Sequence, residues 1–230
     1  MTGSSRAAAR ASRLRRSLRW LFFASITLGG PAFAYETIVN VEPRPDPWIV
    51  NGCEIKPKAV CRLADLRHAD LKDADLRGAD FSGANMARVD LRHANLSGAN
   101  LEGVNLDGAR MYTAFMAGVK LSGASLRGAD LSFARAAGAD FTGADLTAAN
   151  LEMMRANKAN FANALLVNAD LQETKLYDTN LANAVLQGAK LRFTIFQDSV
   201  MDGCQGCPLN WQHGEKAWEM EARDKAARDR

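Results

Sequence analysis

Cys204-Gln205-Gly206-Cys207 is the one segment of this 230-residue chain whose residue types and spacing match a reactive centre. Two thiols separated by two residues can cycle between dithiol and disulfide, as in thioredoxin-like sites. That chemistry is set at a helix N-terminus following a strand of a βαβ unit, and no such pattern precedes Cys204. With Cys53 and Cys61 the chain holds four cysteines, which allow three disulfide pairings or, if drawn together, a zinc site. His68, His93 and His213 are the only histidines, and they form no base–nucleophile or metal cluster. Asp and Asn are abundant enough to suggest acid/base pairs. They recur at a fixed interval, however, as a ladder that solvates a surface and satisfies turn amides would. Phosphate-binding glycine loops and nucleophile elbows are missing. The residues therefore point to a non-enzymatic protein with no catalytic residue, metal or cofactor, and a thiol-disulfide enzyme acting through Cys204 and Cys207 is the alternative.

The elements that position these residues are written as a five-residue repeat that holds one register from Leu66 to Met201, opening with Ala64-Asp65-Leu66, Ala69-Asp70-Leu71 and Ala74-Asp75-Leu76. Of 28 centres, eighteen are Leu, four Phe and four Met, and two are Ala, so the column is apolar throughout. The column two residues earlier is Ala in twenty of the 28. In a helix, five residues advance about 500°, or about 140° net, which smears the apolar column around the cylinder. In a flat strand an odd period sends successive centres to opposite faces. The chain must instead turn a corner in every repeat. The Ala at i−2 and the centre i then point inward, the Asp or Asn at i−1 points outward, and i+1 and i+2 make the turn. Gly78, Gly83, Gly98, Gly103, Gly108, Gly118 and Gly123 all stand at i+2. The product is an all-β solenoid with an apolar lumen and a polar exterior.

Residues 64 to 201 resemble the pentapeptide repeat family, whose pattern is A-(D/N)-L-x-x. The resemblance implies a right-handed quadrilateral β-helix with four repeats per coil, hence seven coils and, at roughly 4.8 Å per layer, a rod about 34 Å long. On a twenty-residue coil Ala136 and Ala156 stack on one face. Each is followed five residues later by a large centre, Phe141 or Phe161, and Met154 stands two residues before Ala156. Such trading of small and large residues within a layer is what a close-packed lumen requires. The implied rod length also separates the two cysteine pairs. Only Cys53 to Cys61 and Cys204 to Cys207 are then within reach, and one zinc site using all four is excluded. Some members of the family mimic DNA and bind topoisomerases, a further alternative that calls for a cytoplasmic and strongly acidic rod.

The segments outside the repeat divide as follows. Residues 1–34 read as an export signal: Arg6, Arg10, Arg13, Arg15, Arg16 and Arg19 precede an apolar run from Trp20 to Leu28, then Ala32-Phe33-Ala34. An uncleaved anchor and a twin-arginine signal through Arg15-Arg16 are the variants of this reading. Residues 35–50 form a proline-rich linker, with Pro43, Pro45 and Pro47, that should carry little structure. Residues 51–63 form an N-terminal cap, 64–203 the coils, and 204–230 a C-terminal cap with a short helical tail from Glu215 to Arg230. Removing 1–34 takes away six of the 29 Lys and Arg and no acid, leaving 23 bases against 26 acids, a net of −3. That balance argues against nucleic-acid binding, and the export signal places the protein in the periplasm or outside the cell, off the membrane once it is cleaved. The C-terminal end is open to a homodimer contact.

One exterior strip departs from the polar rule. At the corner between the second and third faces the outward columns carry Phe133, Met153 and Phe193 on one side and Phe115, Arg135, Arg155, Lys175 and Ile195 on the other, with Tyr112 and Tyr177 nearby. An apolar and basic ridge about five coils long is a protein-partner surface in composition, because aromatic residues and Arg dominate interface energetics. The tail or the linker folding back on it is the competing reading. Together these features describe an exported binding or structural scaffold whose protein partner the sequence does not name. The mature chain should begin at Tyr35: intact-mass measurement of the secreted form is expected to give a chain lacking residues 1–34, and retention of the segment would make this a membrane-anchored rod.

Overall fold

The computed structural model describes residues 44–208, which fall within one compact unit. Every fifth residue from Val60 to Val185 bridges, in parallel, to the residue twenty positions further on. Four pentapeptides therefore make one coil, and the coils stack into a β-helix. The coiled register begins one repeat earlier than Leu66, with Val60 paired to Asp80, and its last bridge is Val185 to Gln205.

The repeat around Leu91 shows why five residues suffice. The Leu91 amide donates to the Arg110 carbonyl (2.7 Å), and that of His93 to Tyr112 (3.1 Å), both in the next coil. Asn95 donates back to Ala74 (2.9 Å), and Ala94 to Leu91 across the corner (3.1 Å). The remaining amide, that of Arg92, is taken by the Asp90 carboxylate (3.2 Å). All five backbone donors are satisfied, one by the side chain at i−1, which explains the Asp and Asn column. From Lys58 to Gly203 every residue at i+2 has φ between +52° and +71°. Such left-handed geometry suits Gly and strains most other residues.

Inside, the centres from Leu66 to Leu186 and their i−2 partners from Ala74 to Ala169 are buried, while Leu191 and Met201 in the last coil are half-buried. Ala136, Ala156 and Met154 are all fully buried, and the rings of Phe141 and Phe161 lie stacked at 4.7 Å, 3° from parallel. The twenty-residue coil thus puts these large centres one above the other on a single face, in the coils that hold the two small ones. Near the C-terminal end hydroxyls replace Ala at i−2, and each finds a carbonyl. Thr174 donates to Leu151 (2.7 Å), Thr194 to Leu171 (2.7 Å) and Ser199 to Leu176 (2.6 Å). Bonded in this way, they enter the core without an unpaired polar atom.

The N-terminal end is closed by a small hairpin. Strand β1 (Ile49–Val50) pairs antiparallel with β2 (Cys53–Glu54) through an Asn51-Gly52 turn in which both residues have positive φ, the type I′ geometry that Asn-Gly favours. Residues 49 and 50 lie in the stretch expected to carry little structure, so strand pairing begins before the expected cap. Cys53 is bonded to Cys61, Cα atoms 5.5 Å apart, and the Cys61 amide donates to Asp80, tying the hairpin to the first coils. The expected signal (1–34), the first part of the linker (35–43) and the expected helical tail (215–230) lie outside the described residues.

The same substitution on either side of the wall should separate inside from outside. Ala139→Asp places a carboxylate in the lumen and should cost several kcal/mol. Ala137→Asp, two residues away and exposed, should cost tenths. Thermal melts followed by circular dichroism are expected to show a collapsed transition for the first and a near-native one for the second.

Candidate functional site

The outward residues were assigned by sequence to a ridge at the corner between the second and third faces, and the coil builds it from two adjacent columns. The i+2 column of the second face carries Asp73, His93, Thr113, Phe133, Met153, Glu173 and Phe193; the i−1 column of the third carries Phe115, Arg135, Arg155, Lys175 and Ile195, linked by consecutive parallel bridges. Tyr112, Phe115, Phe133, Met153 and Phe193 are exposed by 36–43% of their surface. Arg135, Arg155 and Lys175 are exposed too, whereas Ile195 and Tyr177 are half-buried.

Neighbouring coils bring several of these side chains into contact. The Tyr112 ring meets Phe133 edge-on at 5.3 Å, and the Arg135 guanidinium lies over Phe115 at 5.0 Å, a geometry that holds the cation by the ring quadrupole. Arg192 covers Phe193 at 4.7 Å. Sequence reasoning missed His93, which stands 6.0 Å from Tyr112 and bonds through Nδ1 to the Thr113 hydroxyl. The signal was available, since 93, 113 and 133 differ by whole coils. Also missed was the backbone: Thr113, Phe133, Met153 and Phe193 all stand at φ of +55° to +60°, where bulky or β-branched residues are strained.

Ion pairs are most frequent in the first coils, and later ones include Lys190 with Asp170 at 2.9 Å. In the first coils bases pair with the aspartates of the i−1 column: Arg67 with Asp65 and Arg77 with Asp75 at 2.6 Å, Arg62 with Asp80 at 2.5 Å, Arg92 with Asp90 at 2.6 Å, and Arg44 of the N-terminal arm with Asp70 at 3.2 Å. The Arg67 hydrogen bond holds the Asp65 carboxyl down at about 2, against an ordinary 3.8. Asp70, Asp75, Asp80 and Asp90 are lowered as well, each first of all by its arginine. Among the described residues, Arg135, Arg155 and Lys175 enter no ion pair.

At the other end Cys204 and Cys207 are bonded to each other, Cα atoms 5.8 Å apart. Between them Gly206 (φ +77°) lies so close to the previous coil that a Cβ would stand 2.9 Å from the Gln187 amide nitrogen and the Leu186 carbonyl carbon. The loop is thus pressed onto the wall by its backbone, the role of a staple. No group of three or more His, Cys, Asp or Glu side chains among the described residues could hold a metal ion.

A β-helix of four pentapeptides per coil, with a disulfide at each end, defines a repeat solenoid with an apolar lumen and a polar exterior. The chain belongs to the pentapeptide repeat family: the family model for pentapeptide repeats matches residues 57–83, 84–123, 124–163 and 164–203, more than half of the chain. Similar solved structures include HetL, a pentapeptide repeat protein involved in heterocyst differentiation regulation in the cyanobacterium Nostoc, at 28% identity over 64% of this chain and 83% of that one, TM-score 0.31. A pentapeptide repeat protein of the Arabidopsis thaliana thylakoid lumen is 33% identical over 44% of this chain and 66% of its own, TM-score 0.26. QnrB1, a plasmid-mediated fluoroquinolone resistance protein, is 18% identical over 62% and 72%, TM-score 0.41. Curated proteins yield no match.

The lowered aspartates fix a sign for acid sensitivity. A carboxyl whose folded pKa lies below its unfolded value contributes stability above the unfolded value and loses it as pH falls through the folded one. Between about 4 and about 2, the interval set by Asp65, the melting temperature should fall. It should stay flat from 7 to 5. Asp65→Asn with Asp75→Asn should flatten the acid limb in a fluorimetric pH series, modestly, because these pairs are exposed and salt-screened.

Proposed function

We propose that the chain is an exported, non-enzymatic scaffold of the periplasm that binds a protein partner along the ridge from Tyr112 to Lys175. The observation that carries this reading is the concentration, on one corner, of exposed aromatic residues and unpaired bases in a coil whose other bases sit mostly on their own aspartates. Aromatic and Arg anchors are what interfaces concentrate. The net charge of −3 expected after loss of residues 1–34 makes a local basic strip a specific feature and not a by-product of composition. Export is supported by the arginine-rich start, the apolar run and the Ala-x-Ala site, and by four cysteines in two disulfides, which persist in oxidising compartments. The packing of Gly206 supports a structural part for Cys204 and Cys207 over a redox one.

Site-specific photo-crosslinking in intact cells tests it. A crosslinker at Asn157, beside the ridge, should capture a discrete protein that is lost in Arg155→Glu, while one at Asn163, on the opposite corner, should not. Equal capture from both positions, or capture indifferent to Arg155→Glu, would remove the ridge from the function.

A further inference from the structure

Resting on that reading, we infer that the ridge takes an acidic amphipathic α-helix of the partner, laid along the rod axis. The ladder sets the first constraint. Arg135, Arg155 and Lys175 stand on consecutive coils in one bridged column, so their backbones are separated by about 4.8 Å. Like charges facing each other across strands are destabilising, and among the described residues no carboxylate bonds to any of the three. Arg67, Arg77 and Arg92 each have a carboxylate in their own repeat, and Arg62 has Asp80 of the next coil. The occupant must therefore bring anionic groups in a row.

Spacing selects the shape of that row. On one face of a helix, side chains at i and i+3 or i+4 lie about 5–6 Å apart, close to the ladder step, so three successive acids can each meet a base. An extended strand presents same-face side chains about 6.7 Å apart and drifts out of step by about 2 Å per coil, so only one pair forms well. The column from Phe115 to Lys175 spans four coils, three steps and about 14 Å, or about two to three helical turns.

The second column fixes the other face of the helix. Phe133 and Met153 stand beside the ladder, exposed and held in left-handed geometry, and Tyr112 and Phe115 continue the apolar strip toward the N-terminal end. An apolar stripe next to the acids would cover these side chains. Glu173, in the same column after Met153, ends the strip with a charge that repels an acidic ligand, which gives the helix a register.

The test uses the full mature chain and three fluorescent probes in anisotropy titrations. These are a stapled helical peptide with Glu at i, i+4, i+7 and i+11 beside a Leu stripe, an unstapled peptide with alternating Glu and Leu, and heparin. The helical probe should bind best, and Arg155→Glu should weaken it by about tenfold or more. Phe133→Gly and Met153→Gly should also weaken it without lowering the melting temperature, because Gly removes the backbone strain along with the side chain. A purely structural role for these residues would lower it. Failure of the full chain to bind the helical probe overturns the inference, as does equal binding of the alternating peptide or heparin. If either of those binds and is lost in Arg155→Glu, the ridge stands as a binding surface and only the helix is withdrawn. Binding indifferent to every ridge substitution sinks both. Concentration-dependent self-association abolished by Arg155→Glu would assign the ridge to a second copy and likewise overturn the inference.

Discussion

Each pentapeptide must turn a corner while giving its centre amide to a carbonyl nineteen residues further on, and every other feature of the rod follows from that requirement. The corner needs left-handed φ at i+2, an inward centre large enough to fill the lumen, and an acceptor for the amide at i+1. When Asp or Asn stands at i−1 it provides the acceptor, as Asp90 does for Arg92. The polar exterior is therefore a structural part of the wall as well as its hydration. The carboxylates that cap turn amides in the first coils also hold the arginines beside them, so backbone closure and surface charge are set by the same residues.

The two ends solve different problems. At the N-terminus the hairpin lies against the core, with Trp48 and Val50 packed on it, and the Cys53–Cys61 bond holds it in place. Arg44 lies over Trp48 and reaches Asp70 and the Lys72 carbonyl, which carries the ordered chain back along the second face. At the C-terminus the wall admits Thr and Ser at i−2, and the chain closes a short disulfide loop over the Leu186–Gln187 backbone. Each end of the described coils carries a disulfide, where neighbouring coils contribute least to the core.

Much of this was legible from spacing. Period five with Leu at the centre admits a cornered coil and excludes helix and flat strand, and Asp and Asn at i−1 announce satisfied turns. The number of corners per coil was not in the period itself; it came through family resemblance, and the bridges at twenty residues show it directly. The hairpin was signalled by Asn51-Gly52, but its strands are only two residues long, below what alternation can reveal. Sequence position predicted which columns form the ridge, because columns follow from the coil. It could not show that Arg135 lies on Phe115, or that Arg67, Arg77, Arg92 and Lys190 meet a carboxylate while Arg135, Arg155 and Lys175 do not, because those outcomes depend on side-chain direction across coils.

The ridge also stands apart from the other corners in its backbone. At the i+2 corner of the fourth face the chain uses Gly83, Gly103, Gly123, Gly143 and Gly203, residues that adopt positive φ at no steric cost, alongside Leu63, Asn163 and Asn183. At the i+2 corner of the second face it uses no Gly at all, and places Thr113, Phe133, Met153 and Phe193 there instead. Each such choice costs on the order of 1 kcal/mol, and the stacked bases beside them add like-charge repulsion. A wall built only for stability would have Gly on this corner and Asp or Asn on the adjoining column, as its first coils do with Asp75 and Asn95. Packing does not explain the difference, since these side chains point away from the lumen and remain more than a third exposed, apart from Thr113, which is half-buried. On the proposed reading, that strain keeps particular side chains in solvent at a fixed spacing for contact with a partner.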